Sequence, residues 1–187
     1  MIKIGITGSL ASGKSSVARI LSGRKYPLFD ADKAVSKIYK QKIFIKKALR
    51  RFKLKNKKNI KNKLKKIISI DKKNLRKIEQ IIHPLVRKEI KKFSYKNKKK
   101  FILVFEIPLL IESKLMKHYD KIIFVNSKKS LRLKRYLKRG NRKTIFNLLD
   151  KRQLSPSKKI KFCDYVINNN GSLKNLQKSV KIIKNKL

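Results

Sequence analysis

Residues Gly5 to Leu21 read GITGSLASGKSSVARIL, and within them Gly8, Gly13, Lys14 and Ser15 fit the spacing G-x-x-x-x-G-K-[ST]. This is the arrangement of a phosphate cradle. Triphosphate oxygens are met by backbone N–H groups, and a side chain would block their approach, so glycine stands where the chain wraps the anion. Lys14 is spaced to reach the β- and γ-phosphates, and the Ser15 hydroxyl to ligate Mg²⁺. A helix opening at this point adds the positive end of its dipole.

Carboxylates are scarce in the chain, 10 against 55 lysines and arginines, so their positions carry information. Asp30 and Asp32 stand together in YPLFDAD, and Glu106 and Glu112 bracket IPLLI. Asp32 suits the base or positioner that a phosphoryl-acceptor hydroxyl needs beside the γ-phosphate. Asp30 fits either that neighbourhood or the cap of a helix beginning near Ala34. Glu106, at the end of FILVF, fits a carboxylate holding Mg²⁺ or its water, and equally a buried paired acid.

The elements that must position these groups follow from the apolar patterning. IKIGIT reads as a buried strand and SSVARIL as a helix with Val17, Ile20 and Leu21 on one face. YPLFDAD, KFILVFEIP, DKIIFVN and DYVIN supply four more short strands. Helical periodicity runs through Ala34–Phe52 and Ile60–Ile70, and through Lys73–Phe93 with an interruption at His83–Pro84. It returns in a long arginine-bearing stretch, Lys128–Ile160. Strands alternating with helices predict an α/β fold with a parallel sheet and helices on both faces. Ligands in such sheets bind outside the carboxyl ends of the strands, where the cradle and these four acids fall.

The formal charge of +45 invites a polyanionic partner. Yet lysine is spread along the chain and interrupts the apolar periodicity without replacing it, as a solvated face does. The expectation is non-specific polyanion binding at low salt and no specific nucleic acid. Cys163 is the only cysteine, which excludes an internal disulfide and suits a reducing cytoplasm. No signal-peptide pattern opens the chain, and its longest apolar run, FILVFEIPLLI, is too short to span a bilayer. A cytoplasmic protein with no membrane contact, monomeric or weakly self-associating, is expected.

The phosphate loop, FDAD, IIHPLV, IPLLIE, a basic helical stretch and CDYVINNNG follow one another in the order and approximate spacing of dephospho-CoA kinases. The resemblance runs from Met1 to about Gly171. It implies a phosphate-loop kinase fold with a five-stranded parallel sheet flanked by helices, a helical acceptor-binding region and a lid. The implied division is a core of residues 1–32, 101–127 and 162–187, an acceptor region of 33–100 and a lid of about 128–161. The implied reaction is ATP-dependent phosphorylation of the ribose 3′-hydroxyl of dephospho-CoA, the last step of coenzyme A synthesis, with Mg²⁺ accompanying ATP.

Carried over by position, the resemblance gives Gly8, Ala11, Ser12, Gly13, Lys14, Ser15 and Ser16 to ATP. Asp32 would act on the acceptor hydroxyl with Asp30 beside it. His83 and Pro84 would shape the acceptor side, with Pro108, Leu109, Leu110 and Glu112. Arg135, Arg139 and Arg142 lie in the lid-like stretch, with Arg135 and Arg139 on one helix face at i, i+4. One of the three would neutralise the charge on the transferring phosphoryl group, with Arg139 the catalytic candidate. Asn170, in the turn after the last strand, falls at the adenine. His118 lacks any such context and reads as surface. Two departures stand out: Ala11 occupies a position where the family usually has glycine, and Lys61, Asn62 and Lys63 stand where an acceptor-side arginine is expected. Lysine can neutralise a pyrophosphate but lacks the bidentate fork of arginine. The rival functions are a kinase for another nucleotide-like acceptor and a nucleic-acid-binding ATPase.

Overall fold

Five short runs rich in Ile, Val and Phe become strands β1 (Ile2–Gly8), β2 (Leu28–Asp30), β3 (Ile102–Glu106), β4 (Lys121–Asn126) and β5 (Tyr165–Asn168). The computed structural model describes residues 1–23, 25–71 and 73–187. All strand pairings are parallel, in the order β2-β3-β1-β4-β5. Every residue of β3 is buried, as expected of a strand covered on both faces. The expected five-stranded parallel sheet flanked by helices is the fold observed.

The chain divides into two units, Met1–Asp30 with Asn97–Leu187, and Ala31–Lys96. In the first, α1 (Lys14–Ser22) and α9 (Leu173–Lys184) lay Val17, Ala18, Leu21, Leu176, Val180 and Ile183 on the sheet residues Ile4, Ile6, Val104, Ile123 and Val125. Each of these side chains except Ala18 contributes roughly 1.5–3 kcal/mol by leaving water, which anchors the central strand that carries the cradle. The same unit holds α6 (Lys129–Leu137), α7 (Lys143–Lys151) and α8 (Pro156–Ile160). The second unit is all helical: α2 (Ala31–Ile38), α3 (Lys42–Arg51), α4 (Ile60–Ile70) and α5 (Lys73–Lys96). Its core is built from Ile38, Phe44, Ala48, Ile60, Leu64, Ile78, Ile82 and Leu85. Among the described residues no helix is long and apolar enough to cross a membrane.

Local structure departs from the sequence expectation in four places. The helix expected near Ala34 begins at Ala31, directly after β2, so Asp32 sits in its first turn, where the helix dipole favours a carboxylate. The single stretch Ala34–Phe52 is two helices, α2 and α3, separated by a turn at Tyr39–Gln41. The interruption expected at His83–Pro84 is absent, and α5 runs through Pro84. Pro84 and Gln80, whose carbonyl loses its donor, are both exposed, so water can take the bond that proline cannot make. Finally, Lys128–Ile160 is three helices. Gly140, at φ 76°, turns the chain between α6 and α7, and Pro156 opens α8 behind a Ser155 cap. Arg139 therefore lies beyond the end of α6 and does not share a helix face with Arg135.

Candidate active site

The strand order puts β1 at the middle of the sheet, and the cradle grows from its carboxyl end. At Gly8 a β-carbon would collide with the carbonyl oxygen of Val125 on the neighbouring strand and stand 2.8 Å from Ser12 Oγ. At Gly13 φ is 97°, and a β-carbon would be driven into Asn169 Nδ2. The two glycines of the motif are thus fixed by close backbone approach and by a left-handed turn.

Lys14 opens α1 and is nearly buried, at 8% exposure, with Nζ donating to Ser9 O at 2.9 Å. Ser15 Oγ donates to Glu106 Oε1 at 2.6 Å. Ser12 Oγ is fully buried and, among the described residues, has no hydrogen-bond partner. The cradle therefore holds a lysine ammonium, a hydroxyl–carboxylate pair and an unsatisfied hydroxyl beside the amino end of a helix, a set suited to an anion and an oxygen-bound cation. Among the described residues no cluster of three or more His, Cys, Asp or Glu is present. A Mg²⁺ that keeps waters and phosphate oxygens needs only the hard oxygens of Ser15 and Glu106 from the protein, and these fit it.

The other strand ends bring in further residues. Asp30, last in β2, stands in register with Glu106, last in β3, so two carboxylates occupy adjacent strand ends. Pro108 accepts a hydrogen bond from Thr7 Oγ1 at 3.1 Å, and Leu109 beside it is half-buried. Leu110 is fully buried. Glu112 Oε1 lies 2.7 Å from Lys159 Nζ and accepts from Leu154 N at 3.1 Å, tying the loop after β3 to the segment around α8. Asp32 and His83 belong to the helical unit, on α2 and α5, where His83 is half-buried.

Of the three arginines singled out from the sequence, Arg135 alone is tied into the cradle. Its guanidinium donates to Ser127 Oγ at 3.1 Å and Asn169 O at 3.0 Å, and reaches Ser12 O at 3.5 Å. Arg139 and Arg142 are exposed, in the turn after α6 and just before α7. Asn170 Oδ1 accepts from Lys128 N at 2.8 Å. Its buried neighbour Asn169 makes the direct contact with the cradle, Nδ2 donating to Ser12 O at 2.8 Å. Side chains alternate at the end of β5, and the triplet Asn168–Asn170 could not show which of its members faces inward.

The sequence reading also missed Arg132. It is 4% exposed, bonded to Asp150 and to Leu10 of the loop. Asp150 is the only acid between Lys128 and Lys161, a signal that would have found the pair.

The profile of the Dephospho-CoA kinase family matches residues 2–175. A Dephospho-CoA kinase of Fusobacterium nucleatum is 38% identical over 95% of this chain and 94% of its own. Among solved structures, a Thermus thermophilus protein superposes with a TM-score of 0.83 at 26% identity, covering 100% of this chain and 97% of the other. A Dephospho-CoA kinase from Campylobacter jejuni gives a TM-score of 0.71 at 26% identity, covering 98% and 96%. With the cradle on the central strand and the match running almost end to end, the chain belongs to the dephospho-CoA kinase family.

Proposed function

We propose that this protein transfers the γ-phosphoryl group of ATP to the ribose 3′-hydroxyl of dephospho-CoA, giving coenzyme A and ADP. The observation that carries the reading is the phosphate cradle of Gly8–Ser16, with Lys14 and the Ser15–Glu106 pair at its mouth, in a chain of this family. Lys14 exchanges the Ser9 carbonyl for β- and γ-phosphate oxygens, and backbone N–H groups of the loop other than those of Ser12 and Ser16, which donate to the Ser9 and Gly13 carbonyls, take the remaining oxygens. Ser15 and Glu106 would hold the Mg²⁺ that accompanies ATP, and the ion would supply charge neutralisation to the phosphates. Asp32 accepts the proton of the 3′-hydroxyl as its oxygen bonds to the γ-phosphorus. The bond from that phosphorus to the β–γ bridging oxygen breaks, and ADP leaves with the electron pair. Asp30, in register with Glu106, supports that strand end.

For the acceptor, the reading assigns Pro108, Leu109, Leu110 and Glu112 in the sheet-bearing unit, and it gives His83 and Pro84 of the helical unit the same substrate. Arg135 and Asn170 border the nucleotide, and Arg139 and Arg142 approach the phosphates when the segment after β4 closes. Asp32→Asn tests the assignment, since it keeps size and removes the base. kcat should fall by roughly 10²- to 10⁴-fold while ATP affinity changes by less than about threefold. If Asp30→Asn slows transfer more than Asp32→Asn, the base is Asp30. ADP release with dephospho-CoA, with nucleoside monophosphates and with single-stranded RNA separates this acceptor from the alternatives. Turnover with RNA in place of dephospho-CoA would overturn the reading.

A further inference from the structure

The apex of the cradle is held from outside, by residues far along the chain. Both backbone polar groups of Leu10 are engaged: its N–H donates to Gln153 Oε1 at 2.9 Å, and its carbonyl accepts from Arg132 Nη1 at 3.3 Å. Arg132, on α6, also donates from Nε to Ser127 O at 3.2 Å and pairs with Asp150 on α7 at 2.5 and 3.5 Å. Its guanidinium lies 5.6 Å over the Phe146 ring. Phe146 is fully buried in a cluster with Tyr136 and Ala11, flanked by Leu10 and Leu133.

The next residue, Ala11, sits at φ 58°. A residue with a β-carbon resists this left-handed conformation, by a factor of roughly ten in population. The loop shape that presents its N–H groups to phosphate is therefore disfavoured at Ala11, and the polar grip falls on the residue immediately before it. We propose that Arg132, Asp150 and Gln153 form a positioning clamp that selects the anion-receiving shape of the loop and couples the α6–α7 segment to ATP affinity. The proposal rests on the reading that this loop binds ATP. Where only a fraction of molecules holds the competent shape, apparent affinity falls by that fraction.

Loss of the clamp should thus raise the Kd and KM for ATP, leaving the KM for dephospho-CoA aside. Replacing Ala11 by glycine removes the resistance that the clamp opposes. The experiment measures ATP affinity by titration calorimetry, with steady-state kinetics, for Arg132→Met and Gln153→Leu, each alone and combined with Ala11→Gly. Arg132→Met should weaken ATP about tenfold alone and about threefold or less in the Ala11→Gly background. Gln153→Leu, which strands no buried charge and serves if Arg132→Met does not fold, should show the same pattern at smaller size. Equal loss in both backgrounds, or a loss confined to the KM for dephospho-CoA, overturns the clamp. Lys14→Ala is the separate control: if it binds ATP as the parent does, the loop assignment itself fails, whatever the clamp variants show.

Discussion

The buried ion pair between Glu112 and Lys159 allows the most quantitative test of the structure. Lys159 has a side-chain exposure of 0% and Glu112 of 16%, with Nζ and Oε1 2.7 Å apart. The same Oε1 accepts from Leu154 N, and Oε2 is buried with no hydrogen-bond partner among the described residues. Lys159→Met keeps the unbranched shape of the side chain up to its ε position and removes its charge. What remains is a mostly buried carboxylate with a single N–H donor. Breaking one side of such a pair costs about 3–5 kcal/mol, and the residual exposure and the Leu154 bond place this case near the lower bound. For a chain of this size that lowers Tm by roughly 6–12 °C.

Glu112→Gln strands the ammonium at zero exposure, though its amide oxygen can still accept. Removing both charges together, in Lys159→Met with Glu112→Gln, relieves the desolvation that either single change leaves uncompensated. The double variant should therefore fall within about 2 kcal/mol of the parent, with a coupling of at least about 2 kcal/mol in the cycle. Urea unfolding followed by circular dichroism reads these values. Single-variant losses below about 1 kcal/mol, or strict additivity, would refute the buried pair. The same proteins separate the two roles of Glu112. If it also touches the acceptor, Glu112→Gln raises the KM for dephospho-CoA well beyond Lys159→Met at equal stability.

Two further outcomes follow from charge and burial. The Cys163 thiol is pushed from its usual 9.0 up to about 11, by burial first and by the Asp164 carboxylate second, with Lys159 acting in the opposite direction. At pH 8 its thiolate fraction is then about a hundredfold lower than that of an ordinary thiol, so iodoacetamide should label the native protein about a hundredfold more slowly than the urea-unfolded chain. Native labelling within threefold of the unfolded rate would contradict this. RNA and DNA oligonucleotides should bind at low salt without sequence preference and be released by about 0.2 M, in filter-binding or anisotropy titrations. A sequence-specific site surviving that salt would show that the charge serves a dedicated partner.

What was legible in the sequence was local. The cradle is set within eight residues, Gly8 to Ser15, by glycine geometry and by one strand and one helix whose periodicities are unambiguous. Asp30 and Glu106 were legible as strand-end acids because carboxylates are rare here, and the register pairs them. The segment after β4 was not legible, because nearly every helical turn in it carries a lysine or arginine. Which arginine is buried depends on partners that periodicity does not see. Arg132 owes its place to Asp150, Ser127 and Leu10, the last 122 positions away. The turn at Gly140 takes Arg139 off the helix against the helical pattern around it. In α5, the missing donor of proline predicts a break by a local rule. The solvent-facing position of Pro84 and the burial of Ile78, Ile82 and Leu85 overrode it.

The placement of the acids also bears on what the net charge means. In the sheet-bearing unit, Asp120 accepts from Lys3 N at 2.7 Å and Asp164 from Ile122 N at 2.8 Å, each satisfying a backbone donor at a strand. Asp150 and Glu112 neutralise Arg132 and Lys159, which are almost wholly buried cations, and Glu106 accepts from Ser15. These carboxylates stand where a backbone amide, a buried cation or the cradle calls for one. Basic residues with no such task fill exposed positions on the faces of α3, α4, α5 and α7. A surface changed in this way adds a long-range positive field without altering the fold or the anion-binding geometry. The cradle gains from that field when ATP and dephospho-CoA, both polyanions, approach, and this gain is screened by salt over roughly 10 Å at 0.1 M. Charge and catalysis thus separate physically: raising ionic strength should lower kcat/KM for both substrates by slowing encounter, while the Lys14 and Ser15–Glu106 contacts, to which the proposed mechanism assigns kcat, lie within direct hydrogen-bond reach and should respond far less.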